Sequence, residues 1–294
     1  MTERNPQAEQ MADESMLRNL AAQAAAIWPQ EQSLFHRYPL PAKARIADIG
    51  CGSGEITSRL AARYPQAELV GVDILEGSVA YARKRYAELS PRVRFEQGDA
   101  FELAFAAAQF DLVVCRHMTQ AVPEPQRVLS ELHRICRPGG WAHVLSEDYG
   151  MIHADAGKLD ADRLWHEGVI PFTHATGTDA EVGRRTWALM KRIGFEDLHV
   201  DYIVVDTIRV PRAVFGAIIA AWRDGYTEAL ARHTKLRVEE VRGLFDQVVA
   251  SIADPEQYVV WHIPIVSGRK PQKPESLSSR SPGSSSQEPE NFSP

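Results

Sequence analysis

The sequence predicts an α/β fold whose core is a doubly wound, mostly parallel sheet of seven strands. Two observations lead to this prediction. Short apolar runs alternate with helical segments through the first half of the 294-residue chain, a pattern typical of consecutive βαβ units. A glycine-rich turn follows the first apolar run, at the position where doubly wound sheets bind their ligands. The chain is also long enough to bury a substantial core around such a sheet.

The apolar runs and the helical spacing locate the individual elements. The predicted strands cover residues 45–49, 68–72, 93–96, 110–115, 141–145, 198–205 and 258–266. Helical segments are predicted near residues 55–62, 76–89, 126–136, 179–193, 211–231 and 238–252. Pro138, Gly139 and Gly140 are expected to end the third of these helices and to turn the chain into the fifth strand.

Changes of pattern along the chain predict its domain organisation. Residues 1–40 are expected to form an N-terminal helical extension, which precedes the main domain at residues 41–266. Two insertions in that domain, at about 150–178 and 207–256, interrupt the strand–helix alternation and are expected to form a helical substrate cap late in the chain. Residues 267–294 are rich in Ser and Pro with almost no apolar content, which predicts a disordered tail.

Composition narrows the classes of function. The formal net charge of -6 argues against a nucleic-acid partner, which normally requires a basic face. Cys51, Cys115 and Cys136 are isolated in the sequence, which disfavours disulfides and a zinc site, so no metal is expected. The polar N-terminus lacks the apolar core of a signal peptide, and no run approaches the ~18 apolar residues of a membrane span. We therefore expect a soluble, cytoplasmic protein that does not associate with a membrane.

The glycine turn consists of Gly50, Gly52 and Gly54. Alternate glycines allow the backbone to turn tightly and to approach a ligand closely. A dinucleotide-binding loop would have its third glycine one residue later, where this chain has Glu55, so a nicotinamide oxidoreductase is the least favoured hypothesis. Asp73 ends the second predicted strand about 20 residues beyond the turn, where an acidic side chain can accept hydrogen bonds from ribose hydroxyls.

Five motifs occur in order over residues 44–148: the glycine turn, Asp73, Gly98-Asp99-Ala100, Phe110-Asp111-Leu112-Val113, and the segment from Leu132 to Gly140. With these motifs the chain resembles the class I S-adenosylmethionine (SAM) methyltransferases, which have a Rossmann-like fold. It is most similar to the family that contains the ubiquinone and menaquinone C-methyltransferases and many natural-product methyltransferases. The resemblance implies S-adenosyl-L-methionine as the cofactor.

The resemblance also implies which residues bind the cofactor. Asp99 would accept a hydrogen bond from the adenine amino group, and the backbone N–H of Ala100 would donate to the ring. Acidic side chains at strand ends also suit the sulfonium cation of SAM, which has no phosphate. The N-terminal helices, with Gln23, Trp28 and Phe35, could close over SAM as such extensions often do in this family. The implied cofactor-binding residues are Asp48, Gly50, Cys51, Gly52, Asp73, Ile74, Asp99, Ala100 and Arg116.

The methyl acceptor is inferred by elimination. Residues 116–119 read Arg-His-Met-Thr, where adenine-N6 methyltransferases have (D/N)-P-P-(Y/F), and the Pro-Cys dipeptide of cytosine-C5 enzymes is missing. We therefore predict in-line methyl transfer to a small, fairly apolar metabolite; the fold does not choose among C-, N- and O-acceptors. The alternatives are an RNA or protein methyltransferase, which would need a basic extended groove, and a non-catalytic SAM-fold binding subunit. The oligomeric state is left open.

Candidate catalytic residues follow the fourth and fifth predicted strands, at the sheet edge where ligands bind. His117 is the candidate general base or acceptor anchor because imidazole titrates near neutrality; the alternative is a loop histidine that only lines the cleft. Glu147 and Tyr149 could orient the acceptor, or could serve as a cap or turn. Aromatic side chains in the inserted segments could form a lid over an apolar or cationic acceptor, or could simply pack in the core. The substrate-binding candidates are His117, Tyr149, Trp165, His174, Trp222 and Tyr226.

Overall fold

The computed structural model describes residues 5–12, 14–154 and 162–272. Its strands are β1 (Arg45–Ile49), β2 (Glu68–Asp73), β3 (Val93–Gln97), β4 (Phe110–Arg116), β5 (Cys136–Leu145), β6 (Ile152–Ala154), β7 (Glu196–Asp206) and β8 (Val259–Arg269). They form one sheet in the order β3-β2-β1-β4-β5-β8-β6, with β7 paired to β8. The first five strands pair in parallel, which confirms the predicted doubly wound, mostly parallel α/β class.

Both faces of the central strands are buried. In β4, Leu112 and Val114 belong to one hydrophobic cluster, whereas Val113 and Cys115 belong to another. Successive side chains of a strand point to opposite faces, so these two clusters lie on the two sides of the sheet. A strand that is covered on both sides reads as a continuous apolar run, which is why the run at residues 110–115 predicts it well.

The strand count is the first correction to the prediction, because the described part of the chain forms eight strands and not seven. The additional strand is β6, whose three residues pair antiparallel with β8 through Ile152 and Trp261. A three-residue strand is too short to produce a recognisable alternation in the sequence. It also lies inside the region at 150–178 that was expected to be irregular or helical.

The second correction concerns the predicted tail at 267–294. Ser267 and Arg269 belong to β8 and pair with β5 and β7, and the Ser267 hydroxyl accepts a hydrogen bond of 3.0 Å from Arg37 Nη1. Lys270 Nζ donates to the backbone carbonyls of His133 and Cys136. These polar residues have sheet partners that their composition does not reveal. The part of the predicted tail from residue 273 onward lies outside the described residues.

The described helices are α1 (Ala8–Met11), α2 (Glu14–Glu31), α3 (Glu55–Arg63), α4 (Glu76–Arg85), α5 (Pro125–Ile135), α6 (Ile170–Ala175), α7 (Gly183–Ile193), α8 (Arg212–His233) and α9 (Val238–Ala253). A π-helix at Leu164–Val169 runs directly into α6. The chain enters β5 immediately after α5, so Pro138, Gly139 and Gly140 lie inside the strand instead of forming the expected turn.

The N-terminal extension and the late insertion form a single helical layer. Ala26 and Ile27 of α2 share a hydrophobic cluster with Phe215, Ile218 and Trp222 of α8. α8 also packs against α9. The two segments that were predicted as separate additions, at opposite ends of the chain, therefore meet in space, and the space between them and the sheet edge becomes available for a ligand.

Candidate active site

The glycine turn connects β1 to α3 in a conformation that only glycine adopts easily. Gly50, Gly52 and Gly54 have φ of 77°, 50° and 80°, in the left-handed region that a Cβ atom disfavours. The backbone N–H groups of Gly50 and Cys51 donate to the Val72 carbonyl at 2.8 and 3.0 Å. The turn is therefore tied to the end of β2 and presents its backbone to the cavity that lies beyond the strand ends.

Gly52 also lies against the N-terminal helix. A Cβ atom at this position would stand 2.8 Å from Cδ1 of Leu20, a residue of α2. Replacing Gly52 by Ala should therefore weaken SAM binding by about tenfold or more and lower the melting temperature by roughly 2–6 °C, because a left-handed residue with a Cβ costs about 1–2 kcal/mol. Calorimetric titration with SAM and thermal unfolding would measure the two effects.

Gly77 provides the matched control for this variant. It lies in α4, and a Cβ atom there would meet no described residue within 4 Å. Gly77→Ala should leave SAM affinity unchanged and thermal stability equal or slightly higher, because Ala favours a helix over Gly by about 0.5–1 kcal/mol. Equal SAM affinities for the two variants would contradict the assigned role of Gly52.

Asp73 stabilises the glycine turn. Its Oδ2 accepts a hydrogen bond of 2.8 Å from the backbone N–H of Gly52, and its Oδ1 accepts one of 3.0 Å from Leu75 N–H. Burial raises the pKa of Asp73, and the backbone hydrogen bonds from Leu75 and Gly52 oppose that rise. The half-buried carboxylate sits at the carboxyl end of β2, where its remaining lone pairs can accept further hydrogen bonds from a ligand.

Two more aspartates stand at neighbouring strand ends. Asp48 is almost completely buried at the end of β1, and burial raises its pKa to about 6 although Thr57 Oγ1 donates a 2.6 Å hydrogen bond to it. Asp99 follows β3, and its Oδ1 accepts a 2.9 Å hydrogen bond from Phe101 N–H. These residues surround one cavity, which all nine predicted cofactor residues line: Asp48, Gly50, Cys51, Gly52, Asp73, Ile74, Asp99, Ala100 and Arg116. Their roles toward a cofactor stay predictions.

Arg116 is neutralised by a residue of the N-terminal helix. Its Nε donates to Glu31 Oε1 at 2.8 Å, and both side chains are buried. Glu31 also bonds His143 Nε2 at 3.0 Å, and His143 Nδ1 meets the Tyr38 hydroxyl at 2.6 Å. The Arg116–Glu31 ion pair therefore joins the end of β4 to the end of α2. Sequence reasoning missed this network because its members are far apart in the chain.

The buried pair predicts a dependence of stability on pH. Burial alone would raise the pKa of Glu31, but Arg116 and His143 together lower it to about 2. A carboxylate with a depressed folded-state pKa stabilises above its unfolded-state pKa of about 4.5 and loses that contribution as the pH falls toward 2. Between pH 5 and pH 3 the free energy of unfolding should therefore fall by about 2 kcal/mol because of Glu31 alone.

Urea unfolding at the two pH values would test this expectation. The difference should disappear in Glu31→Gln, which also starts from a lower stability because Arg116 then lacks a charged partner. Glu88→Gln, at an exposed position, should keep the wild-type pH dependence. An unchanged pH dependence in Glu31→Gln would refute the assignment.

A second cavity adjoins the first one. The two share a wall, to which α2 contributes Met16, Leu20 and Gln23, and to which His117 also belongs. The second cavity extends beneath α8, between the sheet edge and the π-helix–α6 segment. Aromatic side chains dominate its far side, namely Tyr149, Trp165, Phe172, Trp222, Tyr226 and Phe245.

His117 lies at the junction of the two cavities. Its backbone is left-handed, with φ of 51°, and its N–H donates to the Leu145 carbonyl at 3.1 Å. Its Nδ1 is 2.5 Å from Oε1 of Glu147, which is almost completely buried. Its Nε2 is buried and has no hydrogen-bond partner among the residues that the structure describes. A carboxylate on one ring nitrogen holds the proton there, so the other nitrogen is left to accept one.

Of the remaining predicted residues, Tyr149 lines the second cavity. Tyr149 lies beside the Glu147 carboxylate and stacks on Trp165 with ring centroids 5.9 Å apart; burial and then Glu147 raise the pKa of its hydroxyl. Trp165, Trp222 and Tyr226 also line the second cavity, and their contact with a substrate stays a prediction. Trp165 and Trp222 are also core residues, so one side chain can both pack in the hydrophobic core and line the cavity.

The position of His174 differs from the one predicted for a substrate-binding residue. It lies on α6 but is exposed to solvent and is not among the described residues that line the second cavity. The preceding Phe172 and Thr173 face the cavity instead, since neighbouring helical residues point in different directions.

Asn19 and Gln120 also line this cavity, and sequence reasoning missed both because neither stands in a motif. Gln23, Trp28 and Phe35 were all expected to close over SAM. Gln23 lines both cavities, whereas Trp28 and Phe35 pack in the core.

Fold and site together define the class of this protein. A doubly wound sheet with a glycine turn and a cavity at the carboxyl ends of β1 to β4 is a domain for a ligand that contains a nucleoside. Residues 46–140 match a family described as a methyltransferase domain. The chain therefore contains a methyltransferase domain, and its resemblance to the class I SAM-dependent methyltransferases is confirmed.

Two curated relatives illustrate the range of this similarity. The chain is 42% identical over 97 residues to a trans-aconitate 2-methyltransferase of Deinococcus radiodurans, covering 33% of this chain and 35% of that protein. It is 35% identical over 133 residues to a 27-O-demethylrifamycin SV methyltransferase of Amycolatopsis mediterranei, covering 44% of this chain and 48% of that protein. The matched stretch thus spans less than half the length of these relatives.

A solved structure extends the likeness to most of the fold. A phosphoethanolamine N-methyltransferase 2 of Haemonchus contortus in complex with SAM superposes with a TM-score of 0.56 at 19% identity, over 90% of this chain and 60% of that one. At this identity the comparison supports the fold alone. In the described ranges, no helix has the length and apolarity needed to span a bilayer, and His, Cys, Asp and Glu residues nowhere cluster as a metal site would require.

Proposed function

We propose that the protein is a SAM-dependent methyltransferase that acts on a small, fairly apolar metabolite. The adjoining cavities support this most directly, because a donor in the first and an acceptor in the second would meet at their shared wall beside His117. Methyl transfer requires that donor and acceptor be aligned and that water be excluded. The side chains of α2 that line both cavities would provide that exclusion.

The residues of the first cavity fit SAM. Without a Cβ atom, Gly52 lies close to Leu20 of α2, and the glycine turn would bring its backbone close to the ligand. Asp73 would accept hydrogen bonds from the ribose hydroxyls, and Asp99 with Ala100 would bind the adenine ring. When bound, SAM supplies an electrophilic methyl group on a positively charged sulfur, a charge that buried Asp48 would favour.

His117 and Glu147 would handle the proton of the acceptor. Glu147 holds Nδ1 at 2.5 Å, so Nε2 would take a proton from an acceptor in the second cavity. Tyr149, packed on Trp165 and lying beside Glu147, would limit the orientations that the acceptor can adopt. The contact with Glu147 supports the expectation of a general base, because a carboxylate on Nδ1 would favour the tautomer that leaves Nε2 able to accept a proton.

The cavity lining disfavours the macromolecular alternatives. An RNA or an extended protein substrate would require a basic groove, whereas neither Lys nor Arg occurs among the described residues that line the second cavity. The non-catalytic alternative would give no reason for a histidine–glutamate pair at the junction of two cavities. A small-molecule acceptor accounts for both observations.

Isothermal titration of the purified protein with SAM, with its demethylated product and with NADH tests the cofactor assignment. We expect the two sulfur ligands to bind and NADH not to bind. Transfer of radiolabelled methyl from SAM to members of a small-molecule panel then tests the activity. If neither sulfur ligand binds, the proposed function is wrong; if both bind but no small molecule accepts the methyl group, the non-catalytic alternative is favoured.

A further inference from the structure

Several side chains that line the second cavity carry a buried hydrogen-bond acceptor with no partner in the described part of the chain. Among the described residues lining it, the Oδ1 atom of Asn19, the Oε1 atoms of Gln23 and Gln120, and Nε2 of His117 are buried and unpartnered. The three amide side chains are nine-tenths or more buried. A buried polar group without a partner costs about 1–3 kcal/mol, so these atoms indicate a ligand that satisfies them.

The orientation of each amide follows from what its nitrogen contacts. Nε2 of Gln120 donates to the His117 carbonyl at 2.8 Å, and Nε2 of Gln23 donates to the Glu147 carboxylate at 3.5 Å. Neither a carbonyl nor a carboxylate can donate, so the amide nitrogens must face them. Nδ2 of Asn19 likewise faces the thioether sulfur of Met16 at 3.1 Å. The carbonyl oxygens are consequently the unpartnered atoms; all of them are acceptors, and each belongs to a side chain that lines the cavity.

The charge and the aromatic side chains of the second cavity also favour a ligand that donates hydrogen bonds. Glu147 provides a buried carboxylate, and no Lys or Arg is found among the described lining residues. Six aromatic rings line the same cavity; Trp165 and Trp222, for example, meet edge to face with centroids 6.3 Å apart. Aromatic faces attract cations. A carboxylate ligand would meet Glu147 with no compensating cation, and a neutral hydroxyl donates only one hydrogen bond.

We infer that the methyl acceptor is a primary or secondary amine on an apolar, aromatic-sized body, bound as its ammonium cation. This inference rests on the proposed function and specifies its substrate class. The ammonium group donates to the unpartnered carbonyl oxygens and faces Glu147, while the apolar body packs against the aromatic rings. Before transfer the ammonium loses one proton to Nε2 of His117. The nitrogen lone pair then forms the new bond to the methyl carbon, and the donor sulfur keeps the electron pair of the bond that breaks.

Three probes of matched shape test the inference: 2-phenylethylamine, 2-phenylethanol and 3-phenylpropionate. Each is titrated calorimetrically into protein that is saturated with the demethylated cofactor product, so that acceptor binding is measured without turnover. The amine should bind about tenfold or more tightly than the alcohol, because charge-assisted hydrogen bonds are about twice as strong as neutral ones. The carboxylate should bind least well.

The variant Glu147→Gln separates charge from shape. It should reduce the advantage of the amine over the alcohol to about threefold or less while leaving the affinity for the demethylated product unchanged. Glu167→Gln is the matched control, because Glu167 lies on the adjoining π-helix but is exposed and paired with Arg163. This control should bind all three probes as the wild type does.

The outcomes distinguish the inference from the function on which it rests. Binding of the alcohol or the carboxylate as tightly as the amine overturns the amine assignment, and so does failure of the amine to bind at millimolar concentration. In either case, retained binding of the demethylated product leaves the proposed function standing. An amine preference that survives Glu147→Gln also overturns the inference, because the carboxylate would then not be its source.

Discussion

Replacing Asp73 with Ala should weaken SAM binding about 100-fold, since about 2.7 kcal/mol is lost when charge-assisted hydrogen bonds of about 1.5–3 kcal/mol each disappear. Two contributions are removed together. The carboxylate accepts hydrogen bonds from the N–H groups of Gly52 and Leu75, so the glycine turn loses the contact that positions it. The proposed acceptor of the ribose hydroxyls is removed as well. Isothermal titration with SAM would measure the loss.

Glu76→Ala is the appropriate control for this variant. Glu76 begins α4 three residues after Asp73, and its side chain is exposed in a surface pair with Arg83. Surface pairs of this kind contribute little, so SAM affinity should stay within about twofold of wild type. Thermal unfolding of both variants would verify that they are folded. Unchanged SAM affinity in a folded Asp73→Ala protein would refute the assignment of Asp73 to the cofactor.

The second large effect is expected at His117. Replacing it with Asn should lower kcat about 100-fold, the lower part of the range for loss of a general base, with SAM affinity within about twofold. Asn is the preferred substitution because it tolerates the left-handed backbone that His117 adopts. The measurement uses the acceptor with the highest methylation rate and compares kcat with the dissociation constant of SAM.

His174→Asn provides a histidine control on the neighbouring segment. His174 is exposed on α6 and lies away from the cavity, so both kcat and SAM affinity should match the wild type. If His117→Asn also retained the wild-type kcat, His117 would only line the junction of the cavities, and Glu147 would have no proton to direct. A parallel loss of SAM affinity and kcat would instead indicate that His117 mainly supports the cofactor cavity.

Residues of the central sheet were predictable because their signal is local. The apolar run at Leu112 and Val113, for example, reflects burial on both faces, which depends only on the strand being central. Gly52 and Asp73 were equally predictable, because a tight turn between a strand and a helix requires glycine at a left-handed position, and the acidic residue stands at the end of the next strand. The short strand β6 escaped detection because three residues show no periodicity.

The lining of the second cavity was predictable only in part. Trp165 and Tyr226 were predicted to bind substrate because they are aromatic residues in inserted segments. The same reasoning also selected His174, which is exposed. Which residues of a helix face a cavity depends on how the helix packs, and α6 is too short to show an amphipathic pattern that would predict this. Asn19 and Gln120 offered no signal, since isolated amides occur throughout a chain and only their burial without a partner makes them informative.

The sequence by itself determined the class of fold, the glycine turn and the residues at the ends of β1 to β3, because each depends on neighbours within a few positions along the chain. Only the tertiary structure decided that His117 meets Glu147, 30 residues away, and that Gln23 reaches the same carboxylate across 124 residues. It also placed Glu31 against Arg116 and α2 against α8. These contacts form when distant segments pack to bury apolar surface. The spacing of residues along the chain does not indicate which polar groups that packing brings together.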